Sequence, residues 1–180
     1  MTEYRPQLIL RRADLSDLPA LDLPDGYTLH RCYRVFTDDE RAGIATVLGA
    51  SFPDMAWTPD RVDGTFIGDE LCTATLYLRH RESGEIAATA TARLDPSFPD
   101  TGYVHWVGAH PAHRGKRLGY FASLAVLHEF VAQGLRGAVL TTDDERTPAI
   151  KTYFALGFVP LMSHGSHPAR WDAVHAALPT

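Results

Sequence analysis

The stretch HRGKRLGYF, residues 113–121, combines basic side chains with two glycines where a helical pattern begins. A helix N-terminus already carries a partial positive charge and unpaired backbone N–H groups, so cations beside it suggest a missing anion. Gly115 and Gly119 would allow a tight turn and a close approach of the backbone to a phosphate or pyrophosphate. A solvated basic turn before an ordinary amphipathic helix is the alternative that this stretch leaves open. The cations are Arg114, Lys116 and Arg117.

Two common phosphate-binding patterns do not fit this stretch. A P-loop requires GxxxxGK[ST], but Gly115-Lys116 is followed by Arg117. A dinucleotide fingerprint requires GxGxxG after a first strand and an acidic partner downstream, and neither spacing occurs. The first class is excluded, and the second is poorly supported.

The bulk composition is that of one ordinary globular domain. The chain has 180 residues, 45% of them hydrophobic, and a formal net charge of -5, with 17 Lys+Arg against 22 Asp+Glu. This charge argues against nucleic acid as a partner, because backbone binding relies on a basic surface. No apolar run approaches the roughly 20 residues that span a bilayer, so we expect no membrane association and a cytoplasmic location.

The expected elements begin after an N-terminal extension, residues 1–25, which contains at most one strand. A strand at residues 26–33 precedes a helix capped by Thr37, with Glu40 completing a capping box. A second, weaker helix is expected to begin at Thr58 and Pro59. Alternating patterns in ELCTATLYLRH and EIAATATARL then predict a β-hairpin.

The second half reads as strand, helix, strand, helix, strand. The strand TGYVHWVGAH ends just before the basic turn, and an apolar-faced helix follows from Lys116 to Gly134. GAVLTTD predicts a strand, and Thr147 with Pro148 opens a helix that Gly157 closes. The strand FVPLM and a helix around RWDAVHAAL complete the chain. We expect one mixed α/β domain over residues 1–180, with a central mixed sheet and helices on both faces.

Two segments resemble the GCN5-related N-acetyltransferase (GNAT) superfamily. The family's acyl-CoA loop is written [Q/R]-x-x-G-x-[G/A] after an apolar-x-apolar-x-Pro strand end, and this chain has VGAHP followed by RGKRLG. Its second signature, Ala-Ile-x-x-Tyr-x-x-x-Gly-Phe, is matched in PAIKTYFALGF. The motifs cover about Val104–Leu161. Arg117 stands where the family usually has the middle glycine of the loop, and Arg146 where an Asn often precedes the Ala-Ile pair.

The resemblance implies an acetyl-CoA site between splayed strands. The strand carrying Val107, Gly108 and Ala109 would part from GAVLTTD, and its backbone would pair with the pantetheine amides. The pyrophosphate would rest on the backbone N–H groups of the basic turn, where Arg117 would pair with a phosphate. The cofactor-binding residues implied beyond the strand are Arg114, Gly115, Lys116, Arg117, Leu118, Gly119, Tyr120 and Arg146.

The resemblance also implies two proton-transfer roles. Tyr153 matches the family's tyrosine and would protonate the departing thiolate, although an aromatic packed on the buried side of its helix is the structural alternative. The strand before the loop has no carboxylate, so His105 is the candidate base, because an ordinary histidine pKa suits the role. Strand alternation would place His105 on the same side as Val107 and Ala109. A water relay is the alternative, and Asp143 and Asp144 are backup bases.

The acceptor amine is expected over the first helices and SFPDMAWTPDR. Asp54, Trp57 and Asp60 could surround an ammonium, although a turn and a helix cap with an anchoring aromatic are the favoured explanation. The HxxH pairs lie on Pro-containing loops without a cysteine or carboxylate, so no metal is expected. Cys32 and Cys72 lie in strands and are expected to be free thiols.

Two functions follow as hypotheses. The first is a GNAT-type N-acyltransferase that transfers acetyl from acetyl-CoA to a primary amine within a ternary complex. The second is a non-catalytic acyl-CoA-binding sensor or scaffold, which the missing strand carboxylate keeps open. The acceptor's identity is not encoded in a recognisable motif. The fold often dimerises, so a homodimer is an expectation without an assigned interface.

Overall fold

The computed structural model describes residues 5–178. Its strands are Leu8–Arg12 (β1), Tyr27–Cys32 (β2), Cys72–His80 (β3), Ile86–Leu94 (β4), Thr101–Ala109 (β5), Gly137–Thr142 (β6) and Val159–Leu161 (β7). Its α-helices are Asp38–Ser51 (α1), Pro59–Phe66 (α2), Leu118–Ala132 (α3), Thr147–Ala155 (α4) and His167–Ala177 (α5). A 3-10 turn at Pro111–His113 lies between β5 and α3.

Local sequence signals account for the first helices. The Thr37 hydroxyl accepts the Glu40 N–H at 3.3 Å, and the Glu40 carboxylate accepts the Thr37 N–H at 2.7 Å, which confirms the capping box of α1. Thr58 caps α2 through the Arg61 N–H, with Pro59 in the first position. Both caps satisfy N–H groups that a helix cannot pair internally.

The strands form one mixed sheet in the order β2-β3-β4-β5-β6-β1-β7. The β5–β6 pair is parallel, and the other pairs are antiparallel. One apolar cluster joins one sheet face to α3, α4 and α5, and a second joins the other face to α1 and α2. The expected mixed α/β architecture with helices on both faces is confirmed.

Strand β1 comes from the segment interpreted as an N-terminal extension, yet it lies inside the sheet. It pairs with β6 on one side and β7 on the other, with Leu8 opposite Thr142 and Ile9 opposite Leu161. Leu8 and Leu10 are fully buried. The segment is therefore an integral part of the core, which its short apolar patch alone did not indicate.

Strands β5 and β6 part after three residue pairs. Thr101, Gly102 and Tyr103 pair with residues 137–139, and no later residue of β5 pairs with β6. Strand β6 continues to Thr142 paired only with β1. A cleft therefore opens between the second halves of the two parallel strands.

A β-bulge lies in β5 beside this cleft. Thr91 of β4 is opposite His105 and Thr89 is opposite Gly108, so β5 has one residue more than β4 between these pairs. Trp106 in the bulge has φ 46°, a left-handed conformation that is unusual for a bulky residue. The extra residue changes which face each later side chain of β5 occupies.

The element boundaries differ slightly from the sequence-based ones. Helix α3 begins at Leu118 instead of Lys116, because Arg117 is the left-handed residue that precedes it, with φ 55°. Helix α4 begins at Thr147 with Pro148 second, and Gly157 follows it with φ 78°, as its position predicted.

The close approach of β5 to α3 gives a stability prediction. A methyl group at Gly102 would overlap the Phe130 ring, whereas one at Gly64 in α2 would meet nothing within 4 Å. Gly102→Ala should lower the free energy of unfolding by about 1–3 kcal/mol through overpacking. Gly64→Ala, the control, should leave it unchanged or raise it by up to about 1 kcal/mol. Urea unfolding measures the free energy of unfolding of both variants. Equal effects would show that the contact between Gly102 and Phe130 is not rigid.

Candidate active site

The edge of β5 that faces the cleft exposes backbone hydrogen-bonding groups. The His110 N–H donates to the Ala87 carbonyl of β4 at 2.8 Å. Because successive residues of a strand direct these groups to alternate sides, those of Ala109 and Val107 face the cleft. Val107 pairs with neither neighbouring strand, and the Ala109 N–H donates to the Ser51 hydroxyl at 3.1 Å. The cleft can therefore accept an extended chain with amide groups.

The turn after β5 presents a run of free backbone donors. Within the described residues, none of the N–H groups of residues 115–119 hydrogen-bonds to another protein group. Gly115 has φ 79°, and with the left-handed Arg117 it bends the backbone just before α3. Consecutive free N–H groups at a helix N-terminus form an anion-binding concavity.

The cations of this turn are not neutralised by carboxylates. Among residues 5–178, Arg114, Lys116 and Arg117 form no ion pair within 4.0 Å. The Arg117 guanidinium lies over the Tyr120 ring, 4.4 Å from its centroid. The turn therefore offers both free N–H groups and positive charge to a negatively charged ligand.

A cavity of about 370 Å³ connects the opened strand edge to α3 and α4. Its wall includes Val107, Ala109, Gly119 and Tyr153. A methyl group at Gly119 would meet no protein atom within 4 Å, so the space beside this glycine is open. The predicted strand residues and Gly119 of the loop thus line one cavity, and Ala109 also lines a neighbouring pocket with Arg114, Gly115 and Arg117.

A second cavity of about 290 Å³ lies deeper between the parted strands. Val107, Arg146 and Tyr153 line both cavities, so these three side chains stand between them. The second cavity also contacts His105 and Asp143. The two compartments meet at Tyr153.

Tyr153 is buried, with 7% of its surface exposed, and packs edge-on to Phe158. Burial raises the pKa of its phenol to about 12, and nearby Arg146 opposes this shift. The hydroxyl therefore stays protonated at neutral pH and can donate a hydrogen bond. Packing and a donor role are compatible, because the residue belongs to the core and also lines both cavities.

Two arginines anchor the helix that carries Tyr153. At its N-terminus, Arg146 donates to the Ser51 carbonyl at 2.8 Å and lies 4.0 Å from the centroid of the Phe52 ring. At its C-terminus, Arg12 of β1 donates to the Leu156 carbonyl. Arg146 therefore ties α4 to the end of α1 across the cleft, a contact that its position before the Ala-Ile pair did not reveal.

His105 lines the second cavity, but two reasons given for it as a base were wrong. Burial, with a smaller contribution from the nearby Arg93, lowers the pKa of His105 to about 4. The bulge also breaks the alternation of β5, because Val104 and Val107, three residues apart, both pack in the cluster with α3. His105, next to Val104, therefore does not share a face with Val107 as regular alternation would require. The His105 ring lies against Trp106, with centroids 5.0 Å apart.

The two backup carboxylates have different environments. Asp144 accepts three hydrogen bonds from Arg170 of α5, which lower the pKa of its carboxyl group. Asp143 lines the second cavity and accepts a hydrogen bond from the Gln7 amide at 2.9 Å. Only Asp143 of this pair is directed to the cleft.

The residues expected around an acceptor ammonium do not surround a common space. Asp54 and Asp60 are exposed, and Trp57 packs on Phe66 with Arg61 over its ring. Phe52 and Met55 of the same segment line the second cavity instead. Sequence reasoning missed these two residues together with Ser51 and Gln7, because their side chains carry no distinctive chemistry.

The described residues offer neither a membrane-spanning helix nor a clustered metal site. Among residues 5–178, no helix has both the length and the apolar character needed to cross a membrane. The same residues contain no group of three or more His, Cys, Asp or Glu side chains arranged to hold a metal ion.

The fold and cleft define an α/β protein that can hold an extended acyl carrier between two parted parallel strands. The model of the Acetyltransferase (GNAT) family matches residues 43–158, more than half of the chain. The chain belongs to this family, which confirms the resemblance seen in the sequence.

Curated relatives include two named mycothiol acetyltransferase. The protein from Nocardia farcinica is 33% identical in a match that covers 79% of this chain and 48% of the relative. The protein from Rhodococcus erythropolis is 30% identical in a match that covers 88% of this chain and 55% of the relative. The chain thus spans about half the length of the curated relatives it matches.

Solved structures share the fold. A GCN5-related N-acetyltransferase from Sphaerobacter thermophilus matches with a TM-score of 0.67 and 24% identity, over 88% of this chain and 50% of that chain. A tandem GNAT protein from the clavulanic acid biosynthesis pathway matches with a TM-score of 0.66 and 20% identity, over 86% of this chain and 50% of that chain.

The burial of His105 predicts an acid-dependent loss of stability. Its folded pKa of about 4 lies below the ordinary value of 6.5, so the unfolded chain binds the proton more tightly. The contribution of neutral His105 is complete above pH 6.5 and is lost as the pH falls toward 4. The unfolding free energy of the wild type should therefore fall more steeply over this interval than that of His105→Gln. Parallel curves, or an NMR pKa of 6.5 or higher, would contradict the buried placement.

Proposed function

We propose that this protein is an acetyl-CoA-dependent N-acyltransferase that transfers acetyl to a primary amine in a ternary complex. Members of its family use acetyl-CoA as co-substrate. The observation that carries the proposal is the continuity between the unpaired edge of β5 and the free N–H groups of residues 115–119. One surface suits the amides of an extended thiol carrier, and the other suits its pyrophosphate.

The donor would be held chiefly by backbone groups. Val107 and Ala109 supply N–H and carbonyl groups along the cleft. The Ala109 N–H now donates to the Ser51 hydroxyl, so this hydrogen bond must break or be shared when the carrier binds. The pyrophosphate would lie on the turn before α3, where free N–H groups and the helix dipole favour an anion. Arg114, Lys116 and Arg117 add positive charge there. Arg146 would act on the carrier indirectly, by holding α4 against the end of α1.

The transfer step makes a C–N bond and breaks a C–S bond. The amine nitrogen adds to the thioester carbonyl, and the Val107 N–H faces the cleft where it could stabilise the developing oxyanion. When the C–S bond breaks, the thiolate leaves with the electron pair, and Tyr153 can donate a proton or a hydrogen bond to it. After the addition the nitrogen carries a positive charge, and it loses its extra proton to a protein base or to solvent. Holding both reactants in adjoining compartments supplies much of the acceleration.

The low pKa of His105 limits what it can do in this step. An alkyl ammonium with a pKa of about 10 cannot transfer its proton at equilibrium to a base with a pKa of about 4. We therefore assign His105 the role of accepting a hydrogen bond from an already neutral amine. A water relay, to which the Asp143 carboxylate can hydrogen-bond, would carry the proton outward to solvent.

The acceptor would enter the second cavity, on the side of Tyr153 away from the pyrophosphate turn. Phe52 and Met55 form an apolar part of its wall, and Asp143 provides a negative charge. The relatives named mycothiol acetyltransferase support a small-molecule acceptor over a protein one. Because the chain spans about half the length of those relatives, we do not assign their particular acceptor to it.

A binding-only acyl-CoA sensor is the second candidate. It is favoured by one observation, namely that β5 carries no carboxylate, and the histidine on β5 that lines the second cavity has a pKa that burial lowers to about 4. Such a module would use the same turn and cleft for the carrier but would acetylate nothing.

Calorimetric titration with acetyl-CoA, with ATP and NAD as controls, followed by an amine screen, separates the candidates. Micromolar binding of acetyl-CoA alone, with acetyl transfer to some amine, would support the enzyme. Binding without transfer to any amine would favour the sensor. Absence of acetyl-CoA binding would refute both.

The pyrophosphate turn can be tested by Gly119→Glu. The new side chain meets no protein atom near its Cβ, so the fold should be retained, but its carboxylate would occupy and repel the phosphate position. Acetyl-CoA affinity should fall at least about 100-fold by calorimetry. Gly64→Glu, the control, places the same charge on an open position of α2 and should bind acetyl-CoA with the affinity of the wild type. Unchanged affinity in Gly119→Glu would remove the turn from the binding site.

The donor role of Tyr153 can be tested by Tyr153→Phe. The substitution keeps the packing on Phe158 and removes only the hydroxyl. Loss of a general acid should lower kcat by about 10²-fold or more, with acetyl-CoA affinity within about twofold of the wild type. Phe154→Leu, one position along α4, controls for altered helix packing. Full activity in Tyr153→Phe would show that another group or solvent protonates the thiolate.

A further inference from the structure

A directed chain of hydrogen bonds lines one wall of the second cavity. Thr141 donates to the Gln7 side-chain carbonyl at 2.9 Å, and the Gln7 amide donates to Asp143 at 2.9 Å. Tyr103 and Thr141 share a hydrogen bond of 2.5 Å. Because the single Thr141 proton is already given to Gln7, the Tyr103 hydroxyl must be the donor to Thr141. The chain therefore runs from Tyr103 through Thr141 and Gln7 to Asp143, and we call these four side chains the polar row.

The polar row comes from three distant parts of the sequence. Tyr103 is the last residue of β5 that pairs with β6, Thr141 lies on β6, and Gln7 immediately precedes β1. Asp143 follows β6. All four side chains border the cavity that also contacts Tyr153 and His105. The row thus faces the place where an amine would meet the thioester.

The hydrogen-bonding capacity that the row leaves unused is mostly acceptor capacity. Its internal bonds use the Tyr103 and Thr141 protons and one Gln7 proton, so only the second Gln7 proton remains to be donated. Free lone pairs remain on the two hydroxyl oxygens, on the Gln7 carbonyl and on the Asp143 carboxylate. Such a wall matches ligand groups that donate hydrogen bonds, and it disfavours carboxylates and phosphates, which only accept them and carry negative charge.

The rest of the cavity wall is mainly apolar and aromatic, apart from His105 and from Arg146, whose guanidinium lies on the Phe52 ring and donates to the Ser51 carbonyl. Phe52, Met55 and Trp106 form its apolar part, and the Phe52 and Trp106 rings meet edge to face with centroids 5.0 Å apart. A ligand between the two walls would place its carbon skeleton on these side chains and its hydroxyl groups on the polar row. The volume of about 290 Å³ limits the enclosed part to a small group.

We infer that the acceptor class is a small primary amine that carries hydroxyl groups and no negative charge, with Gln7 and Thr141 as its specificity-determining residues. This inference rests on the proposed function for the meaning of "acceptor", but the binding preference itself needs only the cavity. Hydroxyl groups can donate to the free lone pairs of the row and accept the remaining Gln7 proton.

Three amines with one three-carbon skeleton test the preference. They are 2-amino-1,3-propanediol, 2-aminopropane and L-serine, which differ in having two hydroxyls, none, or one hydroxyl and a carboxylate. Each is titrated into the full chain, with and without CoA, and binding is followed by tryptophan fluorescence, since Trp106 lines the cavity. The diol should bind about tenfold or more tightly than either analogue, as expected for one or two net hydrogen bonds. Equal affinities, or tighter binding of either analogue, would overturn the inference.

Two variants locate the preference on the polar row. Gln7→Leu and Thr141→Val should each reduce the advantage of the diol over 2-aminopropane to about twofold, with 2-aminopropane binding little changed. Thr73→Val removes a hydroxyl on β3 that bonds Gln133 far from the cavity, and it should retain the full preference. A preference that survives in both row variants would overturn the assignment, even if the wild type favours the diol.

Measuring acetyl transfer in the same samples separates this inference from the proposed function. If the diol preference disappears in the row variants but no amine is acetylated, the inference holds and the enzyme proposal fails. If amines are acetylated with no preference for the diol, or with one that the row variants keep, the enzyme proposal holds and the inference fails.

Discussion

The fold depends on a sheet that opens between β5 and β6. Each of these two strands stays paired with its other neighbour. Strand β5 remains paired with β4, and β6 remains paired with β1, but the two strands hold each other over three residue pairs only. An unpaired strand edge inside a fold leaves polar backbone groups that must find other partners. Here a serine hydroxyl from α1 meets one of them, and the rest face the cleft, where a ligand with amides can satisfy them.

Electrostatics divides the cleft into two ends. The outer end has free N–H groups, a helix N-terminus and three cations without carboxylate partners in the described chain. The inner end has a carboxylate, hydroxyls and a histidine that burial keeps neutral, and it shares Arg146 with the outer cavity. A ligand with phosphates at one end and an uncharged reactive group at the other is therefore oriented before any specific contact forms. The buried tyrosine at the junction keeps its proton for the same reason that the partly buried histidine loses its own, since loss of contact with water disfavours the charged form of each side chain.

The features predictable from sequence were those with local causes. The capping box at Thr37, the caps around Thr58 and Pro59 and the left-handed Gly157 follow from short patterns, and so does the position of the basic turn. The family motifs placed Val107, Gly119 and Tyr153 around one cavity. The bulge at Trp106 was not predictable, because it depends on the register that β4 and β5 adopt in the folded sheet. The same is true of the pKa of His105, which depends on burial, and of Gln7, which reaches the site only because β1 lies in the sheet.

The position of β1 also bears on how the chain acquires its structure during synthesis. Leu8 must find a partner at Thr142 and Ile9 one at Leu161, so the strand of this sheet that is synthesised first has no edge to join until most of the sheet has been made. Contacts of such high sequence separation slow folding, since a long loop must close before they form. The elements from β2 to α3 can assemble first as an antiparallel meander with its helices. The wall of the cleft that contains β6 and Gln7 would then be completed last, so that the binding site matures only when the two ends of the domain come together.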